Sequence, residues 1–118
     1  MKRKNTGLTW LASLALVLGL GSATADTPGI TNTWLEISVS KAKCVQKAAV
    51  AIKAAGFSSN FEIIKESIYG DQEEYVALIR CVADHRLAYI VVTGPDSDVA
   101  GSYIDEVRAA FEDELAKK

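Results

Sequence analysis

The chain contains two cysteines, and they fall in segments of opposite character. Cys81 lies in Tyr75-Val76-Ala77-Leu78-Ile79-Arg80-Cys81-Val82, an apolar and partly β-branched run that reads as a strand. Cys44 lies in residues 41–55, rich in Ala and Lys, where Cys44, Val45, Ala48, Ala49, Ile52 and Ala55 recur at steps of three and four. That spacing predicts a helix, and Gly56 is its natural left-handed stop. A Cys44–Cys81 bond would pin the helix to the strand.

Whether that bond forms depends on compartment, and the N-terminus addresses this. Lys2-Arg3-Lys4 is a positive start, residues 8–20 are apolar apart from Thr9, Ser13 and Gly19, and Ala23-Thr24-Ala25 is a small-x-small exit. The pattern predicts a secretory signal peptide over residues 1–25, removed before Asp26, with residues 26–118 as one domain. The run falls short of the roughly 20 apolar residues a spanning helix needs, so no membrane anchor is expected after cleavage. The lack of an Arg-Arg pair points to general secretory export, in the style of a bacterial leader. The expected address is the periplasm or the extracellular space. Two cysteines in an exported chain of this size most simply form one disulfide. Nothing like Cys-x-x-Cys marks a redox pair.

Cleavage also changes the charge. Removing Lys2, Arg3 and Lys4 from 13 basic residues, set against 15 acidic ones, leaves a balance of −5. Such a domain, without a basic cluster, is a poor match for nucleic acid or an anionic membrane surface.

Along the remaining chain, residues 26–32 are expected to be a flexible lead-in. Residues 34–39 alternate like a short strand, but Thr33-x-x-Glu36 is also a capping-box pattern. The alternation leaves strand and early helix open, with a helix start at Ser40 preferred. Residues 61–69 are expected to form a strand, and Gly70-Asp71-Gln72 to turn the chain into the Cys81 strand. Asp84-His85 turns it again into Leu87-Ala88-Tyr89-Ile90-Val91-Val92. After Gly94-Pro95, Asp96 or Ser97 caps a last helix whose stripe is Val99, Tyr103, Ile104, Val107, Ala110, Phe111 and Leu115. The fold class expected is α+β: a two-layer sandwich of helix, three-stranded antiparallel β-meander and helix, with a short extra N-terminal strand as an option.

Chemistry is sparse. His85 is the single histidine, and oxidised cysteines cannot ligate zinc, so no metal site or cofactor is expected. Asp96-Ser97-Asp98 lacks calcium-loop spacing and reads as a helix start. Gly-x-Ser-x-Gly is absent, and phosphate-loop patterns are absent too. Glu62, Glu66, Glu73 and Glu74 read as solubilising charges at strand edges.

The sheet itself is more informative. The expected hairpin pairs Cys81 with Ala88, Ile79 with Ile90, and Ala77 with Val92 on one wholly apolar face. The opposite face then carries Val82 with Leu87, Arg80 with Tyr89, and Leu78 with Val91, joined by Val76 and Ile63. Two helices can cover only one side of such a sheet. The other side is therefore either a protein-contact surface, or covered by residues 34–39, or assigned to the wrong face.

Cys44-x-x-x-Ala48 running to Ala55-Gly56-Phe57, then residues 75–81, then Val92-x-Gly94-Pro95-Asp96, resembles small exported bacterial α/β proteins of uncharacterised function with one disulfide. The resemblance implies a disulfide-stapled α/β fold and carries no activity or functional residue. The leading expectation is a non-enzymatic exported protein acting through a protein partner or as a homodimer, with Arg80 and Tyr89 as contact residues. The alternatives are a small-ligand carrier with a pocket between helices and sheet, and a small hydrolase using Asp84-His85 or a carboxylate pair.

Overall fold

A computed structural model describes residues 28–118. The expected signal peptide, residues 1–25, lies outside these described residues. The elements run in the order β1 (Gly29–Glu36), α1 (Lys41–Ala54), β2 (Ser59–Ile64), β3 (Ser67–Gln72), β4 (Tyr75–Val82), β5 (Leu87–Gly94) and α2 (Ser97–Ala116). All five strands form one antiparallel sheet in the order β1-β5-β4-β3-β2. Both helices pack on the same face, giving an α+β two-layer sandwich.

The sheet thus has five strands, where the sequence pattern suggests a three-stranded meander. Two differences account for this. Residues 61–69 do not form one strand: Lys65 and Glu66 turn the chain between Ile64 and Ser67, which pair directly. Lys65 adopts φ +55°, and Glu73 adopts φ +56° in the equally short turn from β3 to β4. Tight two-residue hairpins demand such positive φ, usually supplied by glycine or asparagine. The second difference is β1, which begins at Gly29 inside the expected lead-in and pairs with β5 along its whole length. Thr33-x-x-Glu36 is strand, and α1 starts after Ser40, whose hydroxyl accepts from the Lys43 N–H at 3.2 Å. Residues 34–36 therefore extend the sheet in its own plane, residues 37–39 lead on to α1, and the segment does not fold across the sheet.

The inner face explains how the helices can approach. Ala77, Ile79, Cys81, Ala88, Ile90 and Val92 are all buried there, in the register Ala77–Val92, Ile79–Ile90, Cys81–Ala88. On α1 the buried residues are Cys44, Ala48, Ala51 and Ile52, and on α2 they are Ala100, Ile104, Val107 and Phe111. Ala100 takes the buried position in the first turn of α2, and Val99 faces solvent. Cys44 and Cys81 form the expected disulfide, with their Cα atoms 6.1 Å apart. Among the described residues this bond joins α1 to β4 from within the core.

Polar contacts complete the helix ends. Asp96 caps α2, its carboxylate accepting from the N–H groups of Asp98 and Val99. The ammonium of Lys47 on α1 donates to the carbonyls of Glu114 and Lys117, tying the two helices together at the negative end of α2. The Asp84-His85 turn is a 3₁₀ turn over Ala83–His85, with Arg86 left-handed at φ +58°. Four residues therefore separate β4 from β5, two more than the expected tight turn.

Near the other end of the sheet, Tyr75, Tyr103 and Phe57 form an aromatic cluster with ring centroids 5.1–5.2 Å apart. Gly94 makes room for it: a Cβ at that position would lie 2.0 Å from Cδ1 of the Tyr75 ring.

Two stability outcomes follow from this packing. Replacing both cysteines by alanine removes a covalent closure across 37 positions and should lower unfolding free energy by about 3–4 kcal/mol in urea titrations. Gly94→Ala should cost about 1–3 kcal/mol in the same assay, because the Tyr75 ring must shift within a packed core.

Candidate functional surface

Alternation along β4 and β5 sends every second side chain away from the helices. The cross-strand pairs on that outer face are Val82–Leu87, Arg80–Tyr89, Leu78–Val91 and Val76–Thr93. β1 extends each row: Trp34 stands beside Tyr89, Asn32 beside Val91, and Ile30 beside Thr93. On the other flank Ser67 stands beside Arg80, Tyr69 beside Leu78, and Asp71 beside Val76. Among the described residues nothing crosses this face.

The result is an apolar and aromatic surface open to solvent. Trp34 is 54% exposed, Tyr89 46% and Val76 38%, while Leu78, Val82, Leu87 and Val91 are half-buried against one another. Arg80 is less free than the sequence suggests. Its guanidinium donates to Ser67 Oγ at 3.0 Å and to Glu66 Oε1 at 3.1 Å, spanning from β4 to β3. The ion pair is half-exposed, so it fixes the planar guanidinium more than it stabilises the fold. Ile63 does not belong to the patch: it pairs with buried Ile68 and lies towards the helix side at the sheet margin.

Sequence reasoning missed Trp34 and Ile30. Alternation alone marks residues 34–39 as strand-like. The face each side chain takes is decided by pairing with β5, whose partner residues lie 51 to 65 positions further along the chain.

At the end of the sheet, Trp34, Glu36, Ile37, Ser38, His85, Arg86 and Leu87 border an open concavity of about 460 Å³. It continues the outer face past the Trp34–Tyr89 row. A smaller hollow of about 230 Å³, bordered by Lys41, Glu66, Arg80, Asp84 and His85, lies beside it. His85 is exposed on its turn, and among the described residues neither a carboxylate nor a hydroxyl is hydrogen-bonded to it. Glu66 is engaged with Arg80, while Glu73 and Glu74 form the turn at the opposite end of the sheet. The arrangement therefore lacks the base–orienter geometry that nucleophilic catalysis uses.

Among the described residues no cluster of His, Cys, Asp and Glu is arranged to hold a metal ion, and no helix is long and apolar enough to cross a membrane. The space between helices and sheet is filled by fully buried side chains, among them Phe57, Ile52, Ile79, Ile90, Val107 and Phe111. Away from the outer face, Lys117 is held above its ordinary pKa by its hydrogen bond to Glu114 and by that carboxylate's charge. The buried disulfide is consistent with an oxidising environment.

No protein-family model matches the chain, and a search of curated proteins gives no match either.

Because Trp34, Arg80 and Tyr89 are half or more exposed or lie on a solvated face, Trp34→Ala, Arg80→Ala and Tyr89→Ala should each change stability by about 1 kcal/mol or less. Thermal melts of the oxidised protein check this and license the same variants as binding probes.

Proposed function

We propose that this protein is an exported, non-catalytic binding module whose outer sheet face docks a protein partner in the periplasm or outside the cell. The observation that carries the proposal is the row Trp34–Tyr89–Arg80, which runs across three adjacent strands on an uncovered face. Trp, Tyr and Arg are the residue types that dominate binding energy at protein interfaces, each combining large contact area with a polar group. Leu78, Val91 and Leu87 supply apolar surroundings, and Asn32, Glu36 and Asp71 supply a polar margin. The hollow beside Trp34 and Leu87 could receive one side chain of the partner.

The preformed arrangement supports this role. β4 and β5 are central strands held by the Cys44–Cys81 bond behind them, and Arg80 is oriented by Ser67 and Glu66 before any partner arrives. Side chains fixed in this way lose little conformational entropy on binding. The filled interlayer favours this reading over a ligand carrier.

A photocrosslinking side chain at Tyr89, compared with one at exposed Val50 on α1, tests the proposal in the producing cells. A discrete protein adduct is expected at position 89 alone. The partner identified by mass spectrometry should then bind the purified protein, with affinity reduced at least about tenfold by Trp34→Ala or Tyr89→Ala. Unchanged affinity in both variants would remove the outer face as the binding surface.

A further inference from the structure

The two edges of the sheet are built differently. β2 is blunted: its register with β3 shifts between Ser59 and Glu62, Asn60 has φ +49°, and charged Glu62 and Lys65 flank the end. Such bulges and charges keep an edge from pairing with another strand. β1 has none of these devices. It pairs with β5 in one unbroken register over eight residues, and its sequence GITNTWLE has no Lys, Arg or Pro.

The direction of its unused backbone groups follows from one bond. The Ile37 N–H donates to the Arg86 carbonyl at 2.9 Å. Backbone groups in an antiparallel ladder alternate between neighbours with period two. Leu35, Thr33 and Thr31 therefore face β5, whereas the N–H and C=O groups of Ile30, Asn32, Trp34 and Glu36 face the open edge. Among the described residues that row has no partner strand.

A second observation lies above this edge, on α2. Gly101 sits in the interior of a 20-residue helix, where glycine is the poorest choice short of proline. Among the described residues nothing requires it, because a Cβ built there meets no atom within 4 Å. Gly101 precedes Arg108 by seven residues, two helical turns, so the two share a face. Arg108 points to β1, donating to Thr33 Oγ1 at 2.7 Å. The open glycine therefore lies on the side of α2 that flanks the free edge.

We infer that β1 pairs antiparallel with β1 of a second copy of this chain, forming a two-fold dimer with one continuous ten-stranded sheet. An antiparallel strand pair is self-complementary about a two-fold axis, as an isologous interface requires. With the axis at Asn32, the two Asn32 residues stand opposite each other, and Ile30 stands opposite Trp34 of the second copy in both directions. Polar then meets polar and apolar meets apolar. Ile30, 67% exposed in the single chain, gains an aromatic neighbour.

The helices fit as well. α2 lies over β1 and β5, and strands are spaced by about 4.8 Å, which puts the two α2 axes about 10 Å apart across the dyad. That is a helix-packing distance, and a glycine facing the dyad permits it. Pairing the edges also joins the two outer faces into one bivalent surface. The dimer does not depend on the outer face binding a separate partner.

Sedimentation velocity of the purified, oxidised protein tests the inference. A dimer is expected to populate within about 5–200 µM. Asn32→Pro removes an N–H that points to the open edge and leaves the β1–β5 bonds intact, and Gly101→Lys places a long side chain where the single chain has room. Each should weaken dimerisation at least tenfold. Circular dichroism establishes whether Asn32→Pro folds, and if it does not, Gly101→Lys decides alone. Tyr89→Ala should leave the dimer unchanged. A monomer throughout that range would overturn the inference, as would a dimer that survives either folded edge variant. Loss of the dimer in Tyr89→Ala alone would also overturn it, by assigning self-association to the outer face, and a failure of partner capture at Tyr89 would leave the edge result untouched.

Discussion

Two helices cover one side of five strands, and most of what this molecule can do follows from that asymmetry. The inner face is apolar along β4 and β5, and it alternates small with branched side chains: Ala77, Ile79, Cys81, Ala88, Ile90, Val92. The alanines on α1 and α2 meet it in kind, so the layers close tightly and the interlayer fills. The same alternation sends Leu78, Arg80, Tyr89 and Val91 to a side where no further helix is encoded within residues 28–118. That surface is braced from behind. The Cys44–Cys81 bond and the Lys47 contacts to the end of α2 provide that bracing.

The stabilising contacts and the exposed outer row are separated in space as a result. The disulfide, the aromatic cluster around Tyr103 and the two helix caps all lie on the helix side of the sheet or at its ends. The outer row therefore contributes little to the packed core. Arg80 is the exception, since its bonds to Ser67 and Glu66 stitch β4 to β3 while its planar group remains accessible.

Much of the central hairpin was legible in residue order. Period-two alternation in Tyr75–Val82 and Leu87–Gly94 determined which residues share a face, and the observed register pairs Arg80 with Tyr89 and Cys81 with Ala88. The β2–β3 hairpin was not legible, because Lys65 and Glu66 carry no glycine or asparagine to announce a turn. Lys65 accepts a positive φ there, a local cost offset by the pairing of β3 with both neighbours. β1 was ambiguous for a different reason. Thr33 and Glu36 suit a helix cap as well as a strand, and local propensity cannot choose between them.

What the sequence determined by itself is mostly local: the helix over most of residues 41–55 with its start near Ser40, the two central strands, a last helix capped at Asp96 or Ser97, and beyond these the cysteine pair. The helices and strands depend on side-chain periodicity and on hydrogen bonds between near neighbours, which residue order specifies directly, and the cysteine pairing follows from there being two cysteines to join. Only the tertiary structure decided that β1 joins the sheet beside β5, and hence that Trp34 stands next to Tyr89. The partners in that pairing are separated by more than 50 residues, and its outcome rests on which exposed edge the folded hairpin offers. The composite surface and the open edge of the sheet are both products of that one long-range pairing.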